Sequence, residues 1–103
     1  MIHPFTFRVS VAPDVLFQVM GEEAVMLNLK TELYLGLDAM GTRMWLLLTE
    51  SPSIQLAYDS LLEEYDVEPA RLERELNEFI DKLLEQSLIE LGPGELSTSG
   101  MPR

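Results

Sequence analysis

The sequence has no cysteine, so neither a disulfide framework nor a thiolate metal site is open to it. That absence fits a reducing compartment. There is one histidine, His3, near the N-terminal end. Ser10, Ser51, Ser53 and Ser60 therefore have no neighbouring imidazole, and nucleophile–base chemistry fails without an activating base. No glycine-rich phosphate loop is present; the only approach to one, Gly92-Pro93-Gly94, is followed by neither a helix nor a lysine. No apolar run approaches the roughly 18 residues of a membrane span. The opening MIHPFTFRVS lacks the basic region and long apolar stretch of a signal peptide. A soluble, cytoplasmic protein with no membrane partner is expected.

Positive charge is also scarce. Lys and Arg number 7 against 18 Asp and Glu, a formal net of −11 over 103 residues. Residues 59–90 alone hold 11 acids and 3 bases, a net of −8. Nucleic-acid binding draws most of its affinity from cations set on phosphates, so no nucleic-acid partner is expected. Carboxylates pair at helical spacing (Glu64 with Glu68, Glu75 with Glu78, Asp81 with Glu85). With no histidine beside them they read as a solvated helix face rather than a metal site. The chain is expected to work without metal or cofactor and not to be an enzyme.

What is present is an α+β pattern. VLFQVM (15–20) and AVMLNL (24–29) flank a hairpin-sized gap opening at Gly21. LYLGL (33–37) follows as a third antiparallel strand. Leu33, Leu35 and Leu37 share one of its faces, Tyr34 and Gly36 the other. In the second strand Val25, Leu27 and Leu29 share a face, with Met26 turned away. FTFRVSV (5–11) also alternates, fenced by Pro4 and Pro13. Three helices come next. Asp38 caps the first, with Met40, Met44, Leu47 and Leu48 at helical spacing. Ser51-Pro52 opens the second, striped by Ile54, Ala57, Leu61, Leu62 and Tyr65. Pro69 opens the third, where Leu72, Leu76, Phe79, Ile80, Leu83 and Leu84 make one wide apolar face. LIEL (88–91) is a short closing strand, and the remainder is a tail of flexible composition. Strands before helices in one chain of this length predict a single domain of winged-helix-like layout, a three-stranded antiparallel sheet followed by three helices.

With catalysis set aside, binding surfaces remain. The third helix carries an apolar face broad enough to serve both the core and a groove, the latter bordered by Leu72, Glu75 and Lys82. The stretch GEEAVMLNLKTELYLGLDAMGTRMWLLLTE resembles the PqqD-like proteins, also called RiPP recognition elements. The likeness lies in the apolar hairpin, the tyrosine-bearing strand, Leu37-Asp38, Gly41-Thr42-Arg43 and Met44-Trp45. Tyr65-Asp66-Val67, Phe79-Ile80 and the closing Leu88-Ile89 add to it. Two positions depart from the family pattern: Lys30-Thr31-Glu32 replaces the usual Ser-Gly turn, and Ser87 stands where glycine is usual.

The resemblance implies a peptide-binding domain over residues 14–91, with 1–13 an N-terminal extension and 92–103 a flexible tail. It implies that the leader of a ribosomally made precursor peptide joins the third strand as an extra strand, against the third helix. The residues it points to are Leu33, Tyr34 and Leu35 on the strand, and Leu72, Glu75, Leu76, Phe79, Lys82 and Leu83 on the helix. It further implies presentation of the peptide to a leader peptidase or other modifying enzyme, of the lasso peptide type first and of the pyrroloquinoline quinone type as the alternative. The chain would be a monomer or weak homodimer. A purely structural or oligomerisation module, with the open edge pairing to a second copy, is the remaining alternative.

Overall fold

The structure, a computed structural model, describes residues 5–93. Eight elements follow in order: β1 (Phe7–Val11), β2 (Val15–Met20), β3 (Glu23–Asn28), β4 (Leu33–Leu37), α1 (Ala39–Glu50), α2 (Ile54–Glu64), α3 (Pro69–Glu85) and β5 (Ile89–Pro93). His3 and residues 94–103 of the expected tail lie outside the described residues.

β2, β3 and β4 form the expected three-stranded antiparallel sheet, in that order. A two-residue loop, Gly21-Glu22, closes the first hairpin between the paired Met20 and Glu23. Gly21 has φ +69°, the left-handed value that two-residue hairpin loops require and that glycine adopts without a steric penalty. The second turn is built on Asn28. Its side-chain oxygen accepts from the backbone N–H of Lys30 at 2.9 Å and of Thr31 at 3.2 Å. Its amide donates to the Ser87 carbonyl at 2.9 Å, tying the β3–β4 turn to the end of α3. This buried crosslink accommodates the Lys30-Thr31-Glu32 turn.

Register decides which residues face the core. Ala24 sits opposite Leu37 and Val19, and Met26 opposite Leu35 and Phe17. Ala24, Met26 and Leu37 are buried under the helices. Leu27 instead pairs with Tyr34 on the other, outward face. The leucine faces of β3 and β4 are therefore opposite faces of the sheet, and Met26 and Tyr34, each turned away from the leucines of its own strand, lie on opposite sides of it. Met26 is wholly buried while Tyr34 is 71% exposed.

Residues 7–11 are not an extension outside the domain. β1 pairs antiparallel with β5, Phe7 opposite Pro93 and Val11 opposite Ile89. Val9, the inward residue of β1, is part of the core. This second, two-stranded sheet takes up residues 92 and 93, assigned from sequence to the tail. A hydrogen bond from Gln55 N–H to the Phe5 carbonyl at 2.8 Å and the packing of Phe5 on Tyr58 dock the same end on α2.

The helices carry the core stripes read from the sequence. Met44, Leu47 and Leu48 of α1 are buried, and Trp45 stacks on Phe17 with ring centroids 5.6 Å apart. Asp38 caps α1, accepting from Gly41 N–H at 2.7 Å. Ser53, not Ser51, caps α2; its hydroxyl accepts from Leu56 N–H at 3.2 Å, so Pro52 precedes the helix instead of opening it. α3 starts at Pro69 as expected. It ends in a doubly bonded reverse turn, with Ser87 N–H to the Leu84 carbonyl and Leu88 N–H to the Leu83 carbonyl. Ser87 occupies the left-handed position of that turn, φ +57°. Glycine adopts this conformation without the steric cost a Cβ brings. Ser87→Gly is expected to raise stability by up to about 1 kcal/mol, read as a higher urea midpoint at unchanged slope.

α1 and α2 are clamped at the surface by Arg43 and Glu64, whose guanidinium and carboxylate meet in two parallel bonds, one of 2.8 Å. The bond from Arg43 holds the Glu64 carboxyl below its ordinary range. A carboxyl with a folded pKa below its unfolded one stabilises above the unfolded value and loses that contribution as pH falls through the folded value. Glu64→Gln should thus be less stable than the parent at neutral pH and equal to it in acid. Thermal melts at about pH 7 and about pH 3 check this, and the difference will be small because the pair is exposed.

Candidate functional site

β4 is an edge strand: β3 pairs one side of it, and no described strand pairs the other. In an antiparallel ladder successive residues alternate between facing the partner and facing away. Every second residue of Leu33–Leu37 therefore turns its N–H and C=O outward. β2 is the other edge of the sheet, so an unpaired rim alone does not define a site.

A cleft beside β4 makes the difference. Only Asp38 separates β4 from α1, so the chain turns from strand to helix at once and the first turn of α1 forms an end wall. A flank of α3 forms the facing wall. Two adjoining hollows of about 360 and 310 Å³ share Asp38, Gly41, Phe79 and Lys82. One runs along Leu35, Gly36 and Leu37; the other continues toward Met40, Met44, Glu75 and Glu78. Gly41 keeps the end wall tight. A Cβ there would lie 3.2 Å from the capping Asp38 Oδ1 and 3.5 Å from the Leu37 side chain. A larger hollow, about 470 Å³, lies on the far side of α1 between Val19, Thr42, Leu46 and Tyr65. It meets the sheet only at Val19 and the Gly21-Glu22 turn, so it offers no run of strand backbone.

The sequence-predicted residues divide into three groups. Leu35, Glu75, Phe79 and Lys82 line the cleft. Leu33 and Tyr34 lie on β4 upstream of the hollows and are exposed. Leu72, Leu76 and Leu83 are wholly buried in the core with Ile80, so no surface of theirs meets the cleft. The reason is angular. The core stripe of α3 runs through 72, 76, 80 and 83, and the stripe facing β4 runs beside it through 75, 78, 79 and 82, also at helical neighbour spacing. Phe79 borders both; it is half-buried, packed on the core below and open to the cleft above.

Sequence reasoning missed Asp38, Met40, Gly41, Met44 and Glu78. The available signal was the contact of strand and helix at Asp38, which brings the α1 N-terminus to the end of β4. Charge at the cleft is mixed. Glu75 is held by Arg71 at 2.9 Å across one helical turn, Asp38 is engaged as a cap, and Glu78 and Lys82 stand exposed at the rim. Among the described residues no three His, Cys, Asp or Glu side chains converge as a metal site would need, and no helix is long and apolar enough to cross a membrane.

The family model for coenzyme PQQ synthesis protein D (PqqD) matches residues 23–89. The chain belongs to the PqqD family. The matched span holds β3, β4 and all three helices, and thus both walls of the cleft, while β1 and β2 lie outside it. This PqqD-family chain is also similar to TbiB1, solved in complex with the TbiA(beta) leader peptide. The two share 35% sequence identity at a TM-score of 0.72, over 79% of this chain and 94% of TbiB1. No curated protein matches the chain.

Proposed function

We propose that this PqqD-family protein binds the leader of a ribosomally made precursor peptide, without catalysis, and presents it to a modifying enzyme. The leader lies as a fourth strand along the free rim of β4, with alternate side chains in the cleft against α3. The observation that carries this is the coincidence, among the described residues, of an unpaired strand edge and an apolar-floored cleft on the same side of β4. Membership of the PqqD family and the likeness to TbiB1, whose structure holds a leader peptide, support it.

Backbone hydrogen bonds along β4 accept any extended peptide, and the cleft selects among them. Burying one large apolar side chain contributes about 1.5–3 kcal/mol, and ordering the peptide costs about 2–5 kcal/mol. Two anchors, one over Phe79 and one toward Met40 and Met44, together with the strand bonds, suit micromolar affinity, about −8 kcal/mol. We assign the chain to a lasso peptide pathway. The family description, coenzyme PQQ synthesis, favours the pyrroloquinoline quinone precursor as the second reading.

Titration of the isotope-labelled protein with each precursor encoded near its gene separates the two. The true precursor should shift the amides of Leu33–Leu37 and of Phe79 and Lys82, and should slow hydrogen exchange along β4. Spectra that stay unchanged with all of them would refute leader binding.

A further inference from the structure

The hollow of about 470 Å³ on the far side of α1 takes no part in strand addition, yet the same turn of helix builds both. Gly41 borders the cleft; its neighbour Thr42 lines the hollow, with Ala39 and Leu46 on the same flank of α1. Val19 lines it from the sheet. Val19 pairs with Ala24, which pairs with Leu37, so it stands on the face turned toward the helices. Ala24 and Leu37 are buried there, whereas Val19 is 50% exposed. The helices thus leave this end of β2 half bare on its inner side. Thr42 is 6% exposed, and its buried hydroxyl meets no hydrogen-bond partner among the described residues. Buried hydroxyls are normally bonded, and one left alone is costly. An apolar hollow with one unmet polar group has the make-up of a binding pocket. The hollow also lies at the Leu37 end of β4, because strand pairing sets the Gly21-Glu22 turn that borders it just beyond Leu37.

We infer that this hollow is a second anchor site for the same precursor, taking one apolar side chain from the segment just N-terminal to the part that pairs with β4. The inference rests on the reading of β4 as the peptide-binding edge. Both strand pairs of this sheet are antiparallel, and antiparallel pairing is the more stable kind. A leader added antiparallel to β4 begins opposite Leu37, so the residues before it pass the first turn of α1 and reach the hollow. A helix is about 10–12 Å across and an extended chain advances about 3.3 Å per residue, so roughly four residues make the crossing. The anchoring side chain rests on Val19, Leu46 and Tyr65. A backbone group beside it meets the Thr42 hydroxyl, which can donate or accept. Glu22 stands exposed at the mouth and Arg43 is already held by Glu64, so a basic residue next to the anchor is favoured over an acidic one. Because cleft and hollow are engaged by one chain, the second contact forms at high effective concentration and adds affinity without a new partner.

The test uses the full chain and the precursor that shifts its β4 amides, either whole or trimmed of the residues preceding its β4-paired segment. That segment is the part of the precursor whose amides gain exchange protection on binding. Calorimetric titration should show the trimmed precursor binding at least about tenfold more weakly than the whole one. Ala39→Trp fills the hollow from an exposed position on α1. It should weaken the whole precursor at least about tenfold and leave the trimmed one unchanged, which also shows that the variant is folded. Thr42→Val keeps the shape of the side chain and removes the hydroxyl. It should raise the urea midpoint of the free protein yet weaken the whole precursor about fivefold, a combination that a purely structural role would not produce. A whole precursor that binds the parent and Ala39→Trp alike overturns the inference and leaves leader binding standing. So does an affinity loss that follows only from trimming the residues after the paired segment. A doubling of mass in light scattering that Ala39→Trp abolishes also overturns it, assigning the hollow to a second copy of this chain. A parent chain that binds no precursor instead refutes the reading of β4 on which the inference is built.

Discussion

Asn28→Ala is expected to lower folding stability by about 3 kcal/mol, the largest loss from any single polar side chain in the described fold. Asn28 is buried, 3% exposed, and its amide makes four contacts. The oxygen accepts from Lys30 and Thr31, and the nitrogen donates to the carbonyls of Ser87 at 2.9 Å and Gln86 at 3.4 Å. A buried polar group left without its partner costs about 1–3 kcal/mol. The turn amides are near solvent and recover part of this; the carbonyls at the end of α3 recover less. Asn28→Asp is the sharper probe, because it keeps the acceptor and sets a carboxylate against those carbonyls. It should be nearly as damaging as alanine. Urea midpoints at constant slope measure both. Because Asn28 joins the β3–β4 turn to the α3 terminus, either variant should also weaken precursor binding in the fraction that remains folded. A loss below about 1 kcal/mol, the usual net value of one hydrogen bond, would show that water replaces the side chain.

Phe79→Ala and Leu76→Ala should have opposite signatures, although the two residues are neighbours on one helix. Phe79 is half-buried and floors the cleft; Leu76 is wholly buried. Phe79→Ala removes the apolar surface an anchor would rest on, about 1.5–3 kcal/mol, so precursor affinity should fall by roughly ten- to a hundredfold. Its melting temperature should fall far less than that of Leu76→Ala. Leu76→Ala opens a cavity in the core and should cost about 2–5 kcal/mol of stability, while the folded fraction binds the precursor normally. Calorimetric titration and thermal melts on both variants are sufficient. Unchanged affinity in Phe79→Ala would remove the cleft as the peptide site.

Local patterns in the sequence were enough to locate β2 and β4 residue for residue, and to find the α3 core stripe. Alternation and the 3.6-residue period are properties of one segment at a time, and these segments obey them. Relations between segments were not legible. Alternation within β3 and within β4 does not say that Leu27 lies opposite Tyr34, because register follows from the four-residue turn and its Asn28 bracket. The β1–β5 pair joins segments some eighty positions apart in the chain, and alternation within residues 5–11, fenced by Pro4 and Pro13, does not say what that strand pairs with. On α3 the expected Glu75, Phe79 and Lys82 line the cleft, whereas Leu72, Leu76 and Leu83 lie in the core, for the same reason. An amphipathic pattern shows that a face is buried, and only the position of β4 shows which residues beside that face border open space.

The pairing of β1 with β5 has a consequence for how this domain can be rearranged. Phe7 faces Pro93 across adjacent strands, so a short loop joining them would close the backbone into a ring without disturbing β4. New termini cut at the exposed Gly21-Glu22 loop should then yield a circularly permuted protein with the same fold. Equally, the whole unit could be spliced into a host protein at a single surface loop, carried as a module joined through the adjacent ends of β1 and β5.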